Sequence, residues 1–303
     1  MKEFRVEFDS PTKAYYTGQV VTGRVILNLN KPKAARAIKI TCSGESLVKF
    51  KDHKVSHLPR NYTIYFTSKE VYFNDKLMES YQEQGNIPQG SHVYHFSCTL
   101  PTNIPSSFKK NRSHVRYTIK ATLDRPWALD DHAEGEFIVV NPYNLNTDMK
   151  AKEPIHQETS KNYVCLTGLS GLIQIVLTAP YTGVVPGQTL PINISIDNKS
   201  SVIVDKVKIK LTKTLRWRAK NPISKRKVTK LDLTKETLDG VGAHSSRSWN
   251  HQFVVPMFEY VNLSICKYIE QEFELSVTAE AIGLHLPLVL KVPIIIGSIP
   301  LQF

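Results

Sequence analysis

Residues 11–30 read PTKAYYTGQVVTGRVILNLN, and residues 180–198 read PYTGVVPGQTLPINISIDN. In each, a proline is followed seven residues later by Gly-Gln (Gly18-Gln19 and Gly187-Gln188) and then by a run that alternates apolar and polar residues. Alternation of period two is the mark of a half-buried β-strand. The two copies stand 169 residues apart, and AIKIT (37–41) meets KVKIK (206–210) at the same offset. Further on the offset shortens but the order holds. YHFSCTLP (94–101) answers WNHQFVVP (249–256), and YTIKATL (117–123) answers FELSVTA (273–279). A period this long is a duplicated domain rather than a solenoid repeat.

No window carries a helical stripe of useful length, and the 17 prolines and 14 glycines fall mostly between the strand runs. The expectation is an all-β chain of two tandem immunoglobulin-like β-sandwiches. The domains fall at 1–148 and 163–303, joined by a linker at 149–162, where TDMKAKEPIHQETSKN is polar, charged and free of strand pattern. A chain of 303 residues, 41% apolar, has enough core for two such domains without metals or disulfides. Leu284 to Leu301 is apolar, but Lys291 and prolines at 287, 293 and 300 speak against a spanning helix and for a buried edge strand.

MKEFRVEFDSP at the N-terminus is charged and lacks an apolar block, so no secretory signal is read. Cys42, Cys98, Cys165 and Cys266 lie far apart with no CxxC, which suits reduced, mostly buried thiols in a cytoplasmic protein. The Asn-x-Ser/Thr sequons at 61, 111, 193, 198 and 262 carry no meaning there.

Signs of enzyme chemistry are sparse. GLSG at 168–171 lacks the spacing of a nucleophile elbow. His53 and His57 could share a metal only on a helix; on a strand they stand about 13 Å apart. His92 and His95 would face opposite sides of a strand. The expectation is no catalytic residue, no metal and no cofactor.

The strongest signal is charge. The net charge is +12, and Lys206 to Lys230 holds eleven Lys or Arg with no Asp or Glu. One face of the run presents Val207, Ile209, Leu211, Leu215 and Trp217, with Lys213 the exception. The other presents Lys206, Lys208, Lys210, Thr212, Thr214, Arg216, Arg218 and Lys220, with Lys225, Arg226 and Lys227 beyond. Same-face neighbours lie roughly 6.6 Å apart, inside a Debye length of about 8 Å, so they repel unless an anion compensates. A plain solvated strand face and a site for anionic lipid headgroups or phosphorylated tails both fit this stripe; nucleic acid fits it least, since the aromatics needed for base stacking are few.

FSCTLPTNIPSSFKKNRSHVRYTIKATLDRPW (96–127) resembles the α-arrestins, the arrestin-domain-containing proteins, in its Leu-Pro, Pro-x-Ser-Phe, Lys-Ala strand and closing LDRPW. GVVPGQTLPINISIDNKSSVIV (183–204) and LPLVLKVPIIIGSIPL (286–301) are similar to that family's second domain, so the likeness covers nearly the whole chain. The resemblance implies an arrestin fold and a non-enzymatic adaptor in membrane-protein trafficking, serving endocytosis, ubiquitin-linked sorting and signalling. It would be cytoplasmic and peripheral at plasma membrane and endosomes. Its implied partners are membrane cargo proteins and anionic lipid headgroups. HECT-type ubiquitin ligases would be reached only through a missing tail or indirectly, because no two prolines are adjacent in the chain. An arrestin-fold structural subunit of a retromer-like complex is the alternative. On this reading Asp124, Arg125, Pro126 and Trp127 form a structural corner. Pro126 ends the ladder, Trp127 packs over the sandwich edge, and Asp124 and Arg125 fix the turn.

Overall fold

The computed structural model describes residues 2–51, 64–81, 85–165 and 168–302. It resolves into two compact units. The first comprises residues 1–141 with 217–227 and 261–270; the second comprises 142–216, 228–260 and 271–303.

Among the described residues up to 141 there are eleven strands: β1 (Glu3–Phe8), β2 (Ala14–Tyr16), β3 (Val20–Leu29), β4 (Lys33–Ala34), β5 (Ala37–Lys51), β6 (Tyr65–Tyr81), β7 (Asn86–Ile87), β8 (Gly90–Thr99), β9 (Phe108–Lys110), β10 (Ser113–Asp124) and β11 (Asp131–Val140). One sheet has the order β1-β3-β8, the other β2-β11-β10-β5-β6 with β9 on β10, and β4 pairs β7 alone. Alternation does the rest. Val21, Val25 and Leu27 of β3 and Phe96 and Cys98 of β8 are buried, as are Ile38 and Ile40 of β5 and Tyr117, Ile119 and Ala121 of β10. Phe8 sets its ring edge-on to Phe96 at 6.1 Å and to Phe137 of the other sheet at 5.7 Å, which ties the two layers.

The second unit repeats this plan. Its strands, three of which (β16, β17 and β19) have one end in the first unit, are β12 (Ile155–Cys165), β13 (Gly168–Ala179), β14 (Gly183–Val184), β15 (Thr189–Asn198), β16 (Val204–Ala219), β17 (Lys225–Val241), β18 (Ser245–Val254), β19 (Ile269–Ala281) and β20 (Leu288–Ile296). The sheets run β12-β13-β15-β18 and β14-β20-β19-β16-β17. The strands matched in the sequence occupy matched places. β3 and β15 pair β8 and β18, and the short β2 and β14 run parallel to β11 and β20.

Gly-Gln is explained by one turn used twice. Gln19 N–H donates to Tyr16 O at 3.1 Å and Gln188 N–H to Val185 O at 3.1 Å. Between them Gly18 (φ 82°) and Gly187 (φ 84°) take the left-handed conformation that a turn of this kind reserves for glycine. Each glutamine side chain then accepts from the turn's first amide, Tyr16 N at 2.8 Å and Val185 N at 3.1 Å.

Two expectations change. The 149–162 stretch is not an unstructured linker: it holds α1 (Met149–Lys152) and most of β12. As an edge strand with β13 on one side only, β12 buries Ile155 and Tyr163 and exposes most of what lies between, so it shows no alternation to read. Nor is the 284–301 stretch an edge: β20 lies between β14 and β19, burying Leu288, Leu290, Val292, Ile294 and Ile296. Among the described residues no helix is long and apolar enough to cross a membrane.

Candidate functional site

The basic run falls into two environments. Along β16 the apolar side is as expected, with Val207, Ile209, Leu211, Leu215 and Trp217 buried. The cationic side is interrupted, because Thr212 and Thr214 are buried too, and Thr212 Oγ1 donates to Asp232 Oδ1 at 3.0 Å. Lys213, on the apolar side, lays its ammonium 5.8 Å from the Phe258 ring and 5.7 Å from Phe273.

Carboxylates of the neighbouring strands meet the cations of 206–218. Lys206 lies 3.7 Å from Glu280, which also pairs with Lys208. Lys210 lies 3.3 Å from Asp232 of β17. Arg216 gives Glu272 Oε2 two hydrogen bonds, 2.8 Å from Nη2 and 3.1 Å from Nε, and Arg218 pairs with Glu270. Glu270, Glu272 and Glu280 all belong to β19, next to β16 in the sheet. The Lys208 ammonium holds the Glu280 carboxyl below its ordinary range, and Glu272 raises Arg216. The repulsion that seemed to require an outside anion is thus met within the sheet.

Residues 217–227 belong to the first unit. Trp217 packs against Phe108 with ring centres 5.9 Å apart. Thr67 N–H donates to Asn221 O at 2.8 Å, while Lys220 N–H reaches Thr67 O at 3.1 Å and Ser68 Oγ at 2.8 Å. This seam lays the segment along β6, near the end of the β5–β6 pair where Phe50 faces Phe66 across the ladder. Those rings stack at 5.9 Å, with Lys225 5.8 Å from Phe66 and Lys227 5.8 Å from Phe50. At the same corner Lys49 and Arg112 each lie 4.9 Å from the Tyr65 ring, and Arg112 Nη1 donates to the Tyr65 hydroxyl.

Lys49, Arg112, Lys220, Arg226 and Lys227 have no carboxylate in ion-pair range among the described residues. The short segments that carry them, 46–51, 108–114 and 217–227, contain no Asp or Glu. Charged groups held over aromatic faces, with no carboxylate in ion-pair range of Lys49, Arg112 or Lys227 among the described residues, make a corner that can hold an anion. Of the corner's cations, the sequence singles out Lys220, Lys225, Arg226 and Lys227; Lys49 and Arg112 are brought to Tyr65, next to Phe66, only by the fold. The acid-free KFK (49–51) and FKKNR (108–112) were the available hints.

The 124–127 corner is structural in part. Asp124 accepts from Arg36 Nε at 2.8 Å and Lys39 Nζ at 2.9 Å, and those cations hold its carboxyl below the ordinary range. Arg125 N–H donates to Asp130 Oδ1 at 3.0 Å. Trp127 departs from expectation: it does not pack over the edge but stands fully in solvent, at a left-handed φ of 58° that turns it away from the sheet.

Other sequence candidates lead nowhere. His53 and His57 lie outside the described residues. His92 turns inward to Pro88 O at 2.9 Å while His95 is exposed, on opposite sides of β8 as expected. Cys42, Cys98 and Cys266 are buried thiols. Among the described residues no three His, Cys, Asp or Glu side chains are grouped to hold a metal.

Comparison with known proteins fits this duplicated plan. The arrestin (or S-antigen) N-terminal domain matches residues 4–146, and the arrestin C-terminal domain matches 169–301. The chain is 24% identical to arrestin domain-containing protein 17 of Caenorhabditis elegans over 311 aligned positions, covering 99% of this chain and 71% of that protein. It is 26% identical to arrestin domain-containing protein 1 of Rattus norvegicus, covering 92% and 61%, and 24% identical to human arrestin domain-containing protein 4, covering 99% and 72%. Against the rat relative, then, it spans less than two thirds of the full length. With both domains matched in order over nearly all its residues, the chain belongs to the arrestin family, in its arrestin-domain-containing (α-arrestin) branch.

Proposed function

We propose that the chain is a non-enzymatic adaptor in membrane-protein trafficking that holds acidic or phosphorylated cytoplasmic tails of membrane cargo at the basic corner of its first unit. One observation carries this reading: Lys49 and Arg112 at the Tyr65 ring and Lys227 over Phe50 meet at one corner with no carboxylate in ion-pair range among the described residues, while Lys206, Lys208, Lys210, Arg216 and Arg218 are paired in place. Family membership supports the adaptor role, since arrestin-family proteins act without catalysis. A flexible acidic tail suits an open corner with dispersed cations, where each contact is a charge-assisted hydrogen bond. Endocytic and ubiquitin-linked sorting, at plasma membrane and endosomes, would follow from the cargo held.

Fluorescence anisotropy with labelled peptides tests this. Peptides carrying runs of Glu or phosphoserine should bind the full chain, and neutral peptides of the same length should not. Arg112→Glu with Lys227→Glu should abolish the difference. Equal binding of acidic and neutral peptides, or no effect of the reversals, overturns the reading.

A further inference from the structure

The β10–β11 turn displays what a folded chain ordinarily hides. Trp127 and Leu129 are almost wholly exposed, at 104% and 90% of their reference areas. A bulky residue at positive φ is rare and strained, so this display is held against both solvation and backbone preference. The turn that holds it is tied inward. Asp130 Oδ1 accepts from Arg125 N, Arg125 Nη1 donates to Leu129 O at 3.4 Å, and Asp131 lies 2.5 Å from Lys33 and 3.6 Å from Arg125. Asp124 is taken up by Arg36 and Lys39. The aspartates of the turn are therefore engaged, and its two large apolar side chains point out.

Beside this tip lies a cavity of about 270 Å³ lined by Leu29, Lys31, Pro32, Lys33, Ala34 and Arg125. Lys31 has no carboxylate partner among the described residues, and Arg125 Nε is a buried donor with no acceptor. Buried donors are nearly always bonded, and here Arg125 Nε has no acceptor although Asp131 Oδ2, itself without a hydrogen bond, lies 3.6 Å from Arg125 Nη1, so the cavity wall leaves room for a further acceptor. An exposed indole two residues from Arg125, in a turn beside a cavity where Lys31, Lys33 and Arg125 are set against the one carboxylate of Asp131, matches an anionic phospholipid at a bilayer surface. The ring sits at headgroup level, the phosphate enters the cavity, and the leaflet's negative potential draws the lysines.

We propose that Trp127 and Leu129, with the Lys31–Lys33–Arg125 cavity, form a membrane-docking tip for anionic phospholipid. This site is separate from the basic corner, and its test does not depend on cargo.

The experiment uses the full chain with phosphatidylcholine vesicles, with and without phosphatidylserine, part of the phosphatidylcholine carrying brominated acyl chains. Trp emission should shift to the blue and be quenched severalfold on the serine-lipid vesicles only. Trp127→Ala should remove the quenching, although Trp217 and Trp249 remain. Lys31→Glu should weaken vesicle binding severalfold, while Arg226→Glu should leave the quenching intact. Three results overturn the inference. The first is quenching unchanged in Trp127→Ala. The second is pelleting with vesicles without any quenching. The third is a Trp127→Ala effect on sedimentation velocity alone, which would make the tip a contact between copies of the chain.

Discussion

Lys206 to Arg218 and Lys220 to Lys227 are one run of cations in the sequence and two different surfaces in the fold. The first length sits on β16 beside β19, whose glutamates at 270, 272 and 280 meet Arg218, Arg216 and Lys208. The second lies on β6 of the first unit, where the ammonium groups of Lys225 and Lys227 stand over the Phe66 and Phe50 rings. Charge density along a sequence therefore identifies a binding surface only after the neighbouring strands are known. Alternating glutamates on an adjacent strand turn a cationic face into a cross-strand ladder, worth a few tenths to about 1 kcal/mol per pair.

The largest expected effect separates the two lengths by binding. Lys49→Glu, Arg112→Glu and Lys227→Glu together should weaken an acidic peptide by roughly 3 kcal/mol, about 100-fold, at about 1 kcal/mol per lost contact. Lys208→Glu with Arg216→Glu should change it less than about threefold. Anisotropy titrations of both variants read this directly. Equal losses in the two would mean that the paired face also binds.

Stability should show the reverse order. Reversing Lys208, Lys210 and Arg216 sets new carboxylates against Glu280, Asp232 and Glu272, and should cost about 2 kcal/mol by urea denaturation. Arg226→Glu, exposed and without an ion-pair partner, should stay within about 0.5 kcal/mol of the parent.

Much of the fold could be read from the chain because its information is local. Gly18-Gln19 and Gly187-Gln188 encode a turn within four residues, and the alternation of β3, β5, β15 and β16 names its own buried face. What escaped was non-local or unpatterned. β12 has one neighbour and so no period. Glu272 and Glu280 stand 56 and 72 residues from the cations they neutralise. Lys49 and Arg112 join Lys227 only through the β5–β6 ladder and the segment laid upon it. Trp127 was misread because Asp-Arg-Pro-Trp suggests a packed corner, whereas its φ of 58° decides which way the ring points.

Salt offers a finer separation. Raising ionic strength from 0.1 to 1 M shortens the Debye length from about 10 to about 3 Å. Peptide affinity at the corner should fall more than about tenfold. The pairs on β16 and β19, in contact at 2.8 Å for Arg216–Glu272, should lose little, so the urea midpoint should move far less than the affinity.

The smallest effect is with acid. Glu280 is held below its ordinary pKa by Lys208, so its folded value lies under its unfolded value, near 4.3. For a depressed carboxyl the linked stability is fully present above the unfolded pKa and is lost as pH falls through the folded one. Between pH 7 and about pH 5 the protein should therefore keep its urea midpoint, and below about pH 4 it should lose it progressively. Lys208→Met removes the partner and returns Glu280 toward the ordinary range. The variant should be weaker than the parent near neutrality, and the gap should close in acid as Glu280 protonates in both proteins. Midpoints measured from pH 7 to pH 2.5 for the two proteins decide it. A gap that stays constant across that range would mean that Lys208 stabilises the sheet through its packed stem on β16 rather than through its charge.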